Sequence, residues 1–110
     1  MAARVSSDFW VSAYRMRLQA AGIFAHIAHK GDATAGAVAV KVATMDGNAS
    51  VFTRAYDHEF QLVWTTHVDN ATEAEADAAI ARQRQFDRDL WVIEIEDPRG
   101  RHLLGEEGLE

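Results

Sequence analysis

The hydrophobic period of the chain changes three times along its length, and the order of those changes restricts the folds open to it. Trp10, Ala13, Tyr14, Leu18 and Ala21 recur at spacings of three and four, the repeat of a helix with one apolar side, widened by Phe9 and Met16. Ser6 or Ser7 is placed to cap that helix, which the pattern predicts from Asp8 to Ala21 with Gly22 closing it. From Ile23 the repeat falls to two. Ile23, Ala25 and Ile27 alternate with Phe24, His26 and Ala28, predicting a strand to Lys30 with one buried face. A loop from Gly31 to Gly36 follows, then a second strand from Ala37 to Met45 with Val38, Val40 and Val42 on one side. These two strands are expected to form a hairpin.

Asp46-Gly47 is a strong turn signal, because a type I′ turn needs positive φ at both central positions and this pair tolerates it. Ala49 to Tyr56 is the returning strand, with its register open between pairing Val42 to Val51 and pairing Val42 to Phe52. After the polar turn Asp57-His58-Glu59, the residues Phe60, Leu62 and Trp64 mark a fourth strand. The helical period resumes after Thr72, where Glu75 three residues on completes a capping-box pattern and Ala76, Ala79, Ile80 and Phe86 form a modest inner face. Leu90 to Asp97 is the last strong strand, with Trp91, Ile93 and Ile95 inward and Glu94 and Glu96 outward. Pro98-Arg99-Gly100 then turns the chain into His102-Leu103-Leu104, a candidate short final strand.

The order α-β-β-β-β-α-β, with a possible closing β, predicts a single α+β domain over residues 1–110. It would hold a mainly antiparallel sheet of four to six strands, both helices on one face, and Lys41, Glu94 and Glu96 on the other. Residues 1–5 and 105–110 read as loose tails. A chain of 110 residues buries about two-thirds of its unfolded surface, enough for a core without covalent staples. It has no cysteine, which excludes thiol catalysis and cysteine-ligated zinc and fits a reducing cytoplasm. Neither a signal peptide nor a membrane span is expected, because the apolar runs are only a few residues long.

Charge is distributed unevenly. The first 56 residues carry six Lys/Arg and three Asp/Glu, the remainder five and fourteen, and the whole chain has a net charge of -6. Nucleic acid is therefore disfavoured as a partner. The local exception is Arg15 and Arg17 with Arg4, a weak anion-binding candidate, yet two arginines near a helix C-terminus also complement its dipole.

Three stretches, SSDFWVSAYRMRLQAAG, HKGDATAGAVAVKV and FDRDLWVIEIEDPRGRHLL, resemble the alphaproteobacterial family called domain of unknown function 1491. The resemblance covers nearly the whole chain and implies a small single-domain bacterial protein. It brings no activity, cofactor or site residue with it.

Candidate sites therefore rest on the residues alone. His67 and Asp69, with Glu59, are the weak catalytic candidates, since a carboxylate can orient an imidazole as a general base. Asp57, His58, Glu59, His67 and Asp69 sit at the two ends of one strand, too far apart for one metal ion. His26 and His29, at a spacing of three, fall on opposite faces of a regular strand, so no metal site is expected there either. The Gly31–Gly36 loop lacks the Lys-Ser/Thr and the following helix of a phosphate cradle, and Asp32 is expected to cap its own turn. The charges around Arg84, Asp87, Arg88, Asp89, Arg99, Arg101 and His102 read as a surface ion network. Trp10 and Trp91 fit inward patterns, which leaves Trp64 as the candidate interface residue. The resulting expectation is a cytoplasmic, non-catalytic protein-binding or assembly module that self-associates and uses no cofactor. A His/Asp pocket binding a small molecule is the first alternative and RNA binding through Arg15 and Arg17 the second.

Overall fold

A computed structural model describes residues 5–109. Seven elements follow the expected order: α1 (Ser7–Ala20), β1 (Phe24–His29), β2 (Val38–Ala43), β3 (Asn48–Tyr56), β4 (Leu62–Thr72), α2 (Glu73–Phe86) and β5 (Trp91–Glu96). The strands form one sheet in the order β1-β5-β2-β3-β4, antiparallel except where β2 and β5 run parallel. His102–Leu104 is not a strand.

The predicted β1–β2 hairpin does not form. β5 lies between the two strands, pairing Ile27 to Ile93 on one side and Val40 to Ile93 on the other. Periodicity shows that two segments are strands but not which edges meet; β2, apolar at five of six positions and buried at all six, takes the central place, with β5 between it and β1. A second correction concerns the helices. Every residue of β2 is buried, with Val38, Val40 and Val42 in the core under α1 and Ala39 and Ala43 in a separate core under α2. The two helices therefore cover opposite faces. The alanines leave room for α2 to approach the sheet closely, as it crosses from edge strand β4 back to β5.

Lys41 is accordingly not on an open outer face. It is 5% exposed beneath α2, donating to Asp77 Oδ1 at 2.8 Å and to Glu73 Oε1 at 3.1 Å. Burial pulls its pKa down, but hydrogen bonds to Asp77 and Glu73 more than offset this and hold the ammonium above its ordinary value. Both partners remain about half exposed, so the cost of losing the clamp is asymmetric. Replacing both acids, Glu73→Gln with Asp77→Asn, strands a buried charge and is expected to lose about 2 kcal/mol. Lys41→Met leaves two carboxylates that water can reach and should lose less. Urea unfolding of the two variants checks this, and equal losses would contradict it.

The helix ends show where serine and threonine act as expected and where they do not. Thr72 caps α2, its Oγ1 accepting from Glu75 N at 3.2 Å. Ser6 makes no such bond. The first amides of α1, on Ser7 and Asp8, donate instead to the carbonyls of Thr34 and Ala33, and Ser7 Oγ donates to Gly36 O. At the other end Gly22, at φ +74°, lets Ile23 N reach Leu18 O and Gly22 N reach Gln19 O, the paired bonds of a Schellman motif.

Neither register weighed for the β2–β3 hairpin occurs. Val42 pairs with Ser50, and Thr44 N donates to Asn48 O, making Met45-Asp46-Gly47 a three-residue loop with positive φ at Met45 and Gly47. Asp46 Oδ1 secures it by accepting from Thr44 Oγ1 and Asn48 N. Phe86, expected inside, is 90% exposed, and Phe60, expected in β4, is 84% exposed in the preceding turn at φ +60°.

The segment after Gly105, expected to be loose, packs against the domain. Leu104 and Leu109 are buried in the α1 core, Trp64 Nε1 donates to Leu109 O at 3.0 Å, and Arg17 donates to Glu107 O at 2.7 Å. The turn leading there is tied by buried Asp97, which accepts from the side chain and backbone N–H of Arg101. Those bonds, the side-chain one foremost, pull its carboxyl down to about 2.

Candidate functional site

The sequence candidates for acid–base chemistry are not brought together. Glu59 stands in the β3–β4 turn, its N–H donated to Asp57 Oδ1. It is eight residues from His67, about 25 Å at the rise of a strand. His67 and Asp69 are both exposed on β4. Pairing there jumps from Phe52–Thr66 to Val51–Val68, so His67 is the extra residue of a bulge, and a second irregularity follows at Asn70, φ +46°. Among the described residues no three His, Asp or Glu side chains gather to hold a metal ion.

One histidine expectation changes. Register slips between Ile27 and His29, so His26 pairs with Glu94 and His29 with Val92. Opposed residues of a pair share a face, and Val92 and Glu94 are two apart on β5. The bulge thus puts His26 and His29 on the same side, where regular alternation had separated them. His26 Nε2 lies 3.9 Å from Glu94 Oε1, an exposed contact of small energetic weight.

Arg15 and Arg17 are both exposed but do not make one patch, since residues two positions apart on a helix point to different sides. Arg17 reaches the C-terminal segment, while Arg15 lines a groove beside β1. Arg4 lies outside the described residues. Trp64 is half-buried within the α1 core. Its ring centroid is 5.5 Å from that of Trp10, which stacks at 4.9 Å on Tyr14. The Arg54 guanidinium sits 5.2 Å from the Trp10 ring and 5.4 Å from that of Trp64, within cation–π range of both. Tyr14 is fully buried and donates its hydroxyl to His102 O, and burial raises its pKa. His102 Nδ1 accepts from Leu104 N, which requires that nitrogen to be unprotonated, and burial pushes the imidazole pKa down accordingly.

The glycine loop is occupied with structural contacts. Asp32 Oδ2 accepts from Thr34 N and Ala35 N, the expected self-capped turn. Asp32 N donates to Asp89 O, and Asp32 O accepts from Trp91 Nε1 at 2.8 Å. The start of α1, this loop and the Asp89–Trp91 segment thereby meet at one point, and they belong to the three stretches on which the family resemblance rests.

Two concave surfaces flank α1. The first is an open groove of about 590 Å³ between α1 and β1, lined by Ser12, Arg15, Met16, Gln19 and Phe24 among others. Met16 is 70% and Phe24 64% exposed there, and Phe9, two helical turns before Met16, is also exposed. The second is a more enclosed cavity of about 540 Å³ at the N-terminal end of α1, bounded by residues 34–38 and by Arg54 and Leu62 of the β3–β4 pair. Neither signal was legible beforehand, because each surface joins residues distant in sequence. No described helix is long and apolar enough to cross a membrane.

Comparison with known proteins agrees with this architecture. No curated protein matches the chain. The crystal structure of a DUF1491 family protein from Caulobacter crescentus CB15, at 42% identity, superposes with a TM-score of 0.85 over 94% of this chain and 97% of that one. An NMR structure of a DUF1491 family protein from the same organism gives 0.83 at 42% identity over 96% of both chains. The solution structure of protein Atu0922 from A. tumefaciens gives 0.74 at 33% identity over 86% of both. The family model described as protein of unknown function (DUF1491) matches residues 5–105, and the chain belongs to that family.

Proposed function

We propose that the protein is a non-catalytic assembly module of the cytoplasm that pairs with a second copy of itself through the open edge of β1. The carrying observation is an unblocked strand edge beside exposed apolar side chains. Among the described residues β1 pairs only with β5, so its other side presents amide and carbonyl groups without a strand partner there, with Phe24 and Met16 alongside. Edge strands are usually protected by charge, bulges or proline. β4 has two register irregularities and Asp69, whereas Phe24–Ile27 is regular and carries no Lys, Arg, Asp or Glu.

A two-fold contact suits this edge. Antiparallel pairing of two β1 strands continues the sheet to ten strands, and it carries Lys30 of one copy toward the Phe24 end of the other, where Glu96 is the β5 partner. Light scattering coupled to size exclusion, at low and high salt, tests the reading. The expected result is a dimer that persists in high salt and becomes a monomer in Phe24→Lys, which places a charge on the edge without disturbing the core. A monomeric unmodified chain, or a dimer indifferent to Phe24→Lys, overturns it.

A further inference from the structure

We infer that the dimer formed across β1 holds a zinc-class metal ion on its two-fold axis, bound by His26 and Glu94 of both copies. The inference rests on the dimer reading above and adds a ligand to it. Among the described residues of one chain no three His, Asp or Glu side chains gather to hold a metal, so the site exists only when a second copy completes it.

The register of β1 places the axis. Five of its residues have partners on β5: Phe24, Ala25, His26 and Ile27 in regular order, then His29 after the extra residue Ala28. Antiparallel pairing of two such strands about a two-fold axis engages all five when the axis passes through the third, His26. Ala25 then meets the partner's Ile27, Phe24 meets the partner's His29, and His26 meets its own copy. Each opposed pair also joins residues of like face. Ala25 and Ile27 lie on the α1 core, while Phe24, His26 and His29 oppose Glu96, Glu94 and Val92 on the other side. Shifting the axis by one residue leaves an end of each strand unpaired.

The axis thereby collects a ligand set. Opposed Cβ atoms of an antiparallel pair are about 4.5–5.5 Å apart, close enough for two imidazoles to converge on one ion about 2.0–2.1 Å from each nitrogen. The His26 side chain is 47% exposed, and its polar contact among the described residues, 3.9 Å from Nε2 to Glu94 Oε1, is longer than a hydrogen bond, so the ring can turn toward the axis. Glu94 stands opposite His26 on β5. Two carboxylates and two imidazoles therefore cross one face of four adjacent strands in a single row. Lys41, the neighbour of Glu94 on β2, does not claim that carboxylate, since it donates to Asp77 and Glu73. Two nitrogens and two carboxylate oxygens suit tetrahedral zinc, and the carboxylates offset its charge.

Light scattering coupled to size exclusion on the full chain, in EDTA and at rising zinc chloride, tests this. The EDTA series measures the dimer by itself. Because only the dimer offers the whole ligand set, zinc at ten times its own dissociation constant should lower the dissociation constant of the dimer about tenfold. Calorimetry should count one ion per two chains. His26→Ala should lose the response to zinc and keep the metal-free dimer, and Glu94→Gln should weaken zinc binding at least about tenfold. His29→Ala, which removes the histidine off the axis, should keep both. A dimer that zinc does not tighten, or that zinc tightens equally in His26→Ala, overturns the inference and leaves the dimer reading standing. Loss of the response in His29→Ala but not in His26→Ala overturns it as well. A chain that is monomeric in EDTA and in zinc overturns both readings.

Discussion

Gly31→Ala is expected to lower stability by about 3 kcal/mol, at the upper end of what overpacking costs. A Cβ at that position would lie 2.2 Å from the Asp89 carbonyl oxygen and 2.7 Å from both the backbone nitrogen and Cδ1 of Trp91. Backbone cannot retreat as a flexible side chain does, so the loop must move. It would then lose the bond from Asp32 N to Asp89 O and the one from Trp91 Nε1 to Asp32 O. The carbonyls of Ala33 and Thr34 that receive the first amides of α1 would shift with them. Gly36 approaches the same carbonyl from the other end of the loop, at 2.4 Å for an added Cβ, so both glycines are required by one oxygen atom. Gly105→Ala is the control: nothing lies within 4 Å of a Cβ there, and the change should stay within about 0.5 kcal/mol. Chemical denaturation of the two variants checks the contrast, and a Gly31→Ala loss as small as that of Gly105→Ala would show that the loop relaxes freely.

Leu109→Ala should cost about 3 kcal/mol despite lying near the end of the sequence. Its side chain is 1% exposed within the cluster formed by Trp10, Tyr14, Leu18 and the inward faces of β2 and β5. Truncating a buried leucine removes both its transfer energy and the contacts of the atoms around it. The backbone carbonyl that accepts from Trp64 Nε1 belongs to the same residue, so loss of the anchor should also change the environment of that indole. Urea unfolding followed by tryptophan fluorescence reads both effects. An unchanged midpoint and emission would mean that the segment after Gly105 contributes nothing to the folded state.

The type and order of the elements were legible because each has a clear period. Thr72 with Glu75 marked α2, and Trp91, Ile93 and Ile95 marked the inward face of β5. Partner choice was not legible, since adjacency along the chain favours a β1–β2 hairpin whereas β5 satisfies both strands at once. Ala39 and Ala43 are too small to signal a second core, which hid both the position of α2 and the burial of Lys41. A single leucine in the polar run GEEGLE has no period, so the docking of Leu109 left no trace in the pattern. The sites fared similarly. Separation along the chain showed that Glu59 and His67 are remote, but register slips at Ile27–His29 and around His67 are set by pairing partners and cannot be counted from spacing. Trp10 read as core, and it is; that its nitrogen has no acceptor among the described residues depends on which residues surround it in space.

The last strand in the chain lies inside the sheet, between β1 and β2, and this has a consequence for how the protein is made. While synthesis has yet to reach Trp91, β1 has no strand to pair with and β2 has only β3. α1 and β1 must then wait, unsheltered, until β5 arrives between β1 and β2 from more than sixty residues away along the sequence. β2, β3 and β4 pair with their neighbours in order and can associate as soon as they emerge. The N-terminal quarter of the chain, first to leave the ribosome, is thus among the last to be locked into the sheet.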